Sequence, residues 1–329
     1  MENSNRIHVI YLAYRPDARL YESIKMMSEQ TLKPDTLSVY LTVEDTGVKK
    51  NRTHESGKDE AGLDNGGSAI FQENDIAGAA ELETVREKVW DSAHGIRRVE
   101  VLPVRKSEFG HGATRQRAMD ASNCEYVLFI TQDAVPCDKR LVQNLYSALG
   151  NPDAACAYAR QKAYPDADDV EKIYRLFNYP KKSRTKTAID IEKQGIKAFF
   201  CSDVCCMYKH SVFDLTGGFD TSLKFNEDSI YAYHALTKGY SVEYAADAVV
   251  YHSHNDSLKQ KYLRSKDLAG SQAEHPEVFG RVSSEHEGIR FFTRSFAYFI
   301  KKKKYRSAVE LFLNCAARYI GYFMGKHMK

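Results

Sequence analysis

The chain opens on an apolar run, Ile7-His-Val-Ile-Tyr-Leu-Ala-Tyr14, bounded by Arg15-Pro16-Asp17, which reads as a buried strand ending in a turn. Leu20 to Gln30 follows with Leu20, Ile24 and Met27 on one helical stripe, and Leu37 to Val43 is a second apolar strand. Strand, helix and strand in close succession make a βαβ unit and predict a parallel sheet. The stretch 48–80 is polar, rich in Gly, Asn and Asp, and without period, so it reads as a loop insertion. The alternation then resumes with a helix over Glu81–Ser92, a strand over Arg98–Val104 and a helix over Thr114–Ser122 that puts Arg115 in its first turn. Tyr126-Val-Leu-Phe-Ile130 is apolar enough to be a central strand. A helix over Lys139–Leu149, another over Ser229–Thr237 closed by Gly239, and a strand over Ala248–His254 complete the pattern. Near the end, Lys301-Lys-Lys-Lys304 precedes Val309, Phe312, Leu313, Ala316, Ile320 and Phe323, which share one helical face. That segment is either a basic amphipathic helix for a membrane surface or a helix packed on the body with its lysines solvated.

Composition narrows the class. Of 329 residues 43% are hydrophobic and 28% charged, as in a folded protein rather than a disordered one. The formal charge of +3 is divided: residues 300–329 carry +7 and the rest −4, a mildly acidic body with a basic tail and no footprint for nucleic acid. The first nine residues contain no apolar h-region, and no run of eighteen apolar residues occurs. The seven cysteines form no CxxC pair, and Cys201, Cys205 and Cys206 lack a second ligand pair at zinc spacing. They read as reduced, partly buried thiols, which with the missing signal peptide leads to the expectation of a cytoplasmic protein.

Candidate chemistry gathers where strands end, because ligands of parallel sheets sit beyond the carboxyl edge. Asp45 follows the second strand and is either a turn residue or a nucleotide contact. Phe109-Gly-His-Gly-Ala-Thr-Arg115 contains G-x-G but neither the third glycine of a dinucleotide fingerprint nor the lysine of a P-loop. A cation in the first turn of a helix opposes the dipole, which favours a task such as gripping phosphate for Arg115. Asp133, past the central strand, suits a hard divalent cation bridging a diphosphate, or else caps the next helix. Glu227-Asp228 at a helix start either complements the dipole or supplies a general base. Alternation puts Val250, His252 and His254 on one strand face, so that both imidazoles can reach one site as metal ligands.

In this order, these motifs resemble the inverting family 2 glycosyltransferases. Phe109-Gly-His-Gly-Ala-Thr-Arg115, Thr131-Gln-Asp-Ala-Val-Pro136 and Val250-Tyr-His-Ser-His254 are most similar to the rhamnosyltransferase branch. The resemblance runs from Arg6 to Ser257 and implies an α/β GT-A fold, a nucleotide-sugar-binding sandwich with a mainly parallel central sheet, plus a C-terminal helical tail. It divides the chain into a catalytic domain, 1–257, and a helical region, 258–329. It implies transfer of a sugar, rhamnose in that branch, from a nucleoside-diphosphate donor such as dTDP-rhamnose to a saccharide or lipid-linked acceptor in cell-surface polysaccharide synthesis. The donor would lie against Tyr14, Asp45, Arg115, Gln132 and Asp133. Mg²⁺ or Mn²⁺ would sit on Asp133 with His252 or His254. Asp228 resembles the catalytic base with Glu227 beside it, and Asp203, Gly218, Phe219 and Asp220 would face the acceptor. Gln132 replaces the first acid of a strict DxD, and Glu44-Asp45-Thr46-Gly47 is a looser form of Asp-Asp-Gly-Ser. A membrane-surface contact through the C-terminal helix would suit a lipid-linked acceptor at the inner face of the plasma membrane.

Two other readings compete. A sugar nucleotidyltransferase of related fold needs a Gly-rich phosphate loop near the first strand, which Tyr14-Arg15-Pro16-Asp17 does not supply. A non-catalytic, membrane-associated binding protein would have no use for Asp133, Asp228, His252 and His254 together.

Overall fold

The computed structural model describes residues 6–45, 79–223, 225–280 and 285–327. The polar stretch 48–80 falls outside these except for its last two residues, which begin a helix. β1 (Ile7–Tyr14), α1 (Ala18–Ser28) and β2 (Thr36–Val43) form the expected unit, with β1 and β2 parallel. α2 (Ala79–Ser92) and β3 (Arg98–Arg105) extend it at one edge. β4 (Tyr126–Thr131) lies parallel to β1 on its other side. The apolar runs are uninterrupted because both faces of these strands are covered. On β1, Val9 and Tyr11 point into a core with α1 and α2, while Ile10 and Leu12 point into a second core.

Beyond β4 the sheet changes character. β8 (Cys205–Lys209) is inserted antiparallel between β4 and β6 (Ala154–Lys162), and β6 runs parallel to β9 (Ser241–Tyr251). The described sheet has nine strands in the order β3-β2-β1-β4-β8-β6-β9-β5, with β7 (Arg184–Lys186) also on β9 and β5 being Val135–Pro136. The parallel ladders are the long ones, so the sheet is mainly parallel, as expected. Two predicted boundaries move. α3 (His111–Asp120) starts at His111 rather than Thr114, with Gly110 as its extended N-cap, so Arg115 stands in the second turn and the helix-dipole argument for it lapses. β9 ends at Tyr251, leaving His252 and His254 in the segment beyond it.

From Leu258 onward the described chain is helical. Ser257 caps α9 (Leu258–Glu274) through a reciprocal capping box with Gln260. α11 (Glu285–Lys301) and α12 (Tyr305–His327) are joined by a basic turn. α12 reaches the body through α5 (Asp169–Asn178): Leu311 and Ala308 pack with Val170, Phe291 and Phe299, and Lys304 Nζ pairs with Asp169 at 2.8 Å. Against α9 it approaches through glycine. A Cβ added at Gly321 would stand 2.2 Å from the Tyr262 carbonyl oxygen, and one at Gly325 2.0 Å from that of Lys266. The opposite face, carrying Val309, Phe312, Leu313, Ile320 and Phe323, is exposed. Among the described residues no helix is long and apolar enough to cross a membrane.

The glycine contact gives a paired prediction. Gly325→Ala forces α12 off α9 and lowers stability by about 1–3 kcal/mol in urea unfolding. Gly288→Ala on α11, whose Cβ would meet nothing within 4 Å, leaves stability unchanged or raises it by up to about 1 kcal/mol.

Candidate active site

The carboxyl ends of β1, β2 and β4 meet at one edge of the sheet. Gln132 does not stand there as a weakened acid. Its Oε1 accepts the Tyr14 N–H at 2.9 Å and its Nε2 donates to the Tyr14 carbonyl at 3.0 Å, stitching the end of β4 to the end of β1. Behind it, Tyr11 Oη meets Ser23 Oγ at 2.9 Å, and Ser23 donates to the Ala134 carbonyl at 2.6 Å. Both neighbours of Asp133 are therefore tied to the first βα unit. Asp45 accepts from the Ser107 N–H at 3.2 Å and from Ser107 Oγ at 2.7 Å, and Glu44 accepts from Tyr14 Oη at 2.7 Å with Lys106 and Arg15 close by. Tyr14, Asp45 and Gln132 thus share the edge with Asp133.

Asp133 meets the histidines for a reason of register. β5 pairs antiparallel with β9, Val135 opposite Tyr251. Carrying that register back two residues sets Asp133 opposite Ser253, between His252 and His254. Asp133 Oδ2 lies 3.4 Å from His252 Nε2 and 3.5 Å from His254 Nδ1, and the two rings stand 4.5 Å apart. The group can hold a cation. Asp133 is no helix cap, because α4 (Leu141–Ala148) is capped at Arg140. Burial pushes the Asp133 carboxyl up, but His252 and His254 outweigh burial and hold it well below the usual carboxylate range. Burial takes His252 the other way, down to about 4. At neutral pH the pair is then a carboxylate facing an uncharged imidazole, which is a ligand set rather than a salt bridge. One carboxylate oxygen and two imidazole nitrogens fit a divalent cation of intermediate hardness.

The second group centres on Arg115. Its guanidinium pairs with Glu227 through Nη1 and with Asp203 at 3.2 Å through Nε. Only 4% of Arg115 is exposed, so its charge is taken up by these acids rather than open to a phosphate. Asn226, in the left-handed region at φ 69°, turns the chain so that Glu227 and Asp228 begin α8 (Glu227–Thr237) facing inward. Asp228 accepts from the Asp203 N–H at 3.3 Å and from the Ser229 N–H at 2.7 Å. Asp203 accepts from Tyr208 Oη at 2.5 Å. Burial raises Glu227 and Asp203 above the carboxylate range despite Arg115, and raises Asp228 to about 6.

Two expected acceptor residues are packing elements. Phe219 is 4% exposed and sits among Phe129, Tyr208, Phe213 and Tyr231. Gly218, at φ 69°, lies where a Cβ would stand 2.5 Å from Gln116 Oε1. Together they build the floor under the acids, not an open wall. Asp220 turns its carboxylate to Ser222 and lies 4.0 Å from His275. The glycine of G-x-G has a similar explanation: a Cβ at Gly112 would stand 2.2 Å from the Asp220 carbonyl. Sequence reasoning missed Gln161, Ser202 and Arg175, which join the two groups. Gln161 gave no local signal, because it stands in the polar end of β6, between Arg160 and Lys162. It also missed Cys156, whose thiol lies 3.9 Å from that of Cys201, itself 3.4 Å from that of Cys206. All seven cysteines are free, as expected.

Removing the one cation from a buried acid cluster leaves uncompensated charge. Arg115→Met costs about 3–5 kcal/mol in urea unfolding at pH 8. The cost is smaller at pH 5, because the native state then keeps protons on acids whose folded pKa is raised, and stability falls as pH rises through that range.

The glycosyl transferase family 2 profile matches residues 86–216. The O-antigen chain rhamnosyltransferase RfbN of Salmonella typhimurium is 32% identical over 239 residues, 71% of this chain and 75% of the relative. WbaN of Salmonella anatum, also an O-antigen chain rhamnosyltransferase, is 32% identical over 231 residues, 69% and 72% of the two chains. Among solved structures, the mannosyltransferase PcManGT of Pyrobaculum calidifontis in complex with GDP-Man and Mn²⁺ has the same fold, with a TM-score of 0.58 at 14% identity over 98% of this chain and 88% of that one. With two relatives aligned across more than two thirds of both chains, a family profile over its centre and a curled, mainly parallel sheet, the chain belongs to glycosyltransferase family 2 and is an inverting glycosyltransferase of the GT-A fold.

Proposed function

We propose that the protein transfers rhamnose from a nucleoside-diphosphate donor, dTDP-rhamnose, to a hydroxyl of a saccharide or lipid-linked acceptor in cell-surface polysaccharide synthesis. The observation that carries the assignment of roles is that Gln161 and Ser202 link two unlike groups: a carboxylate with two imidazoles, and the Glu227–Asp228 acid pair. Tyr14, Asp45 and Asp133 line the donor side, and Gln132 shapes it by fixing the end of β1. Asp228 is the base. It takes the proton of the acceptor hydroxyl as that oxygen attacks the anomeric carbon from the face opposite the diphosphate, so the configuration inverts. Its raised pKa makes it a stronger base than an exposed carboxylate while it stays largely ionised at neutral pH. Arg115 and Glu227 hold that charge in place rather than touching the donor. A divalent cation on Asp133, His252 and His254 would supply Lewis-acid stabilisation of the departing diphosphate. Two imidazoles beside a single carboxylate favour Mn²⁺ over Mg²⁺ there.

The tail supports a second contact. Val309, Phe312, Leu313, Ile320 and Phe323 form an exposed apolar stripe next to the exposed Lys301, Lys302 and Lys303. Apolar side chains beside unshielded cations suit an anionic bilayer surface, each lysine contributing about 1 kcal/mol.

Two outcomes test these roles. Asp228→Asn keeps donor binding and loses about 10²–10⁴-fold in kcat, and wild-type kcat rises with pH through about 6 as Asp228 ionises. Near-wild-type turnover by the Asn variant removes Asp228 from the role. In co-sedimentation with anionic vesicles, replacing Lys301, Lys302 and Lys303 by Glu releases the full-length protein at low salt; unchanged binding excludes the tail as the contact.

A further inference from the structure

One buried polar side chain connects the two groups. Gln161 on β6 is 2% exposed. Its Nε2 donates to Ser202 Oγ at 2.9 Å, and its Oε1 accepts from Arg175 Nη1 and faces His252 Nδ1 at 2.9 Å. The amide orientation is fixed by its neighbours. Reversed, its NH₂ would face a guanidinium that has only donors. Arg175 is in turn held by Glu171 at 2.7 Å, one turn earlier on α5. A carbonyl oxygen cannot donate, so the hydrogen between Gln161 and His252 belongs to Nδ1. His252 Nε2 is then the nitrogen presented to Asp133 Oδ2, 3.4 Å away.

We infer that Gln161, clamped by the Arg175–Glu171 pair, is the positioning residue that fixes His252 as the Nδ1–H tautomer and aims its Nε2 at the cation position. The inference rests on reading Asp133, His252 and His254 as a cation site. Outer partners of this kind set ring orientation and ligand basicity in metal centres generally. Here the same amide, through Ser202, also grips the residue preceding Asp203, whose N–H donates to Asp228. One side chain thereby sets the imidazole on the donor side relative to the loop that steadies the base.

The tautomer is read directly. In ¹⁵N-histidine-labelled, metal-free, full-length protein, the His252 signals, assigned by their loss in His252→Gln, show a hydrogen on Nδ1. An unprotonated Nδ1 overturns the inference. Affinity for Mn²⁺ alone, titrated by electron paramagnetic resonance, falls about 10–100-fold in Gln161→Met and stays within about threefold in Gln161→Glu, which keeps an acceptor for both partners. Wild-type affinity in the Met variant, or equal losses in both, overturns it. Should Gln161→Met fail to fold by circular dichroism, the wild-type tautomer and the Glu variant decide. Wild-type protein that shows the Nδ1 hydrogen but binds no Mn²⁺ refutes the cation site while upholding the control of Gln161 over the ring.

Discussion

Two buried carboxylates pair with one guanidinium and a third, half-buried on Asp228, stands in its field, and much of the site follows from that imbalance. Asp203, Glu227 and Asp228 surround Arg115, and burial works against every one of these charges. A single positive charge cannot compensate three negative ones in a medium that screens poorly, so the acids hold protons more tightly than they would in water. The surplus has a chemical consequence. An isolated salt bridge would pull a carboxylate down and make it a feeble base, whereas an under-compensated one has its affinity for a proton raised toward neutrality. Arg115 keeps the cluster from being intolerable without cancelling it, and its place in the second turn of α3 is explained by those acids.

The sheet solves a separate problem, bringing residues from distant parts of the chain to one edge. Parallel β1, β2 and β4 deliver Tyr14, Asp45 and Asp133 together, as any doubly wound sheet would. The histidines arrive differently, by the short antiparallel pairing of β5 with β9. The inserted antiparallel β8 carries Asp203 on the loop before it, next to β4 and β6. Gln161 then spans the gap between the histidine side and the Asp203 loop. The Asp133–histidine group and the acid cluster are thus parts of one hydrogen-bonded framework.

What the sequence disclosed divides along physical lines. β1, α1, β2 and β4 were legible because their apolar period is a local property, while Asp133, Asp228 and the two histidines drew notice because they stand near strand and helix ends, where chemistry concentrates. Arg115 was singled out by a dipole argument that its place in the second turn removes, and was given a phosphate because its partners lie 88 and 112 positions away in sequence and no local pattern announces them. Phe219 and Gly218 looked like a binding wall because glycines beside an aromatic ring often are one. The same signature arises when a chain must turn sharply over a packed ring cluster, as here. Gln132 looked like a lost acid, whereas a carboxylate in its place could not donate to the Tyr14 carbonyl.

The tail shows how a helix docked on the body can keep a second face uncovered. The sequence offered packing or membrane contact for the stripe from Val309 to Phe323, but a helix has more than one face. Gly321 and Gly325 allow α12 to lie almost backbone to backbone on α9, and Ala308 and Leu311 bind it to α5, so its docking draws little on the large side chains of that stripe, Phe312 alone setting its ring edge-on to Phe292 of α11 at 6.4 Å among the described ring contacts. Had the apolar stripe been meant for the core, small residues would not be needed on the inner face and Phe312 would not be 55% exposed. A rigidly seated helix that keeps aromatic and branched residues in water beside three free-standing lysines carries a standing hydrophobic cost. Burial against an anionic lipid surface would remove that cost, and α12 is seated through Lys304 and Ser307 on Asp169, at the start of the same helix α5 that carries Arg175.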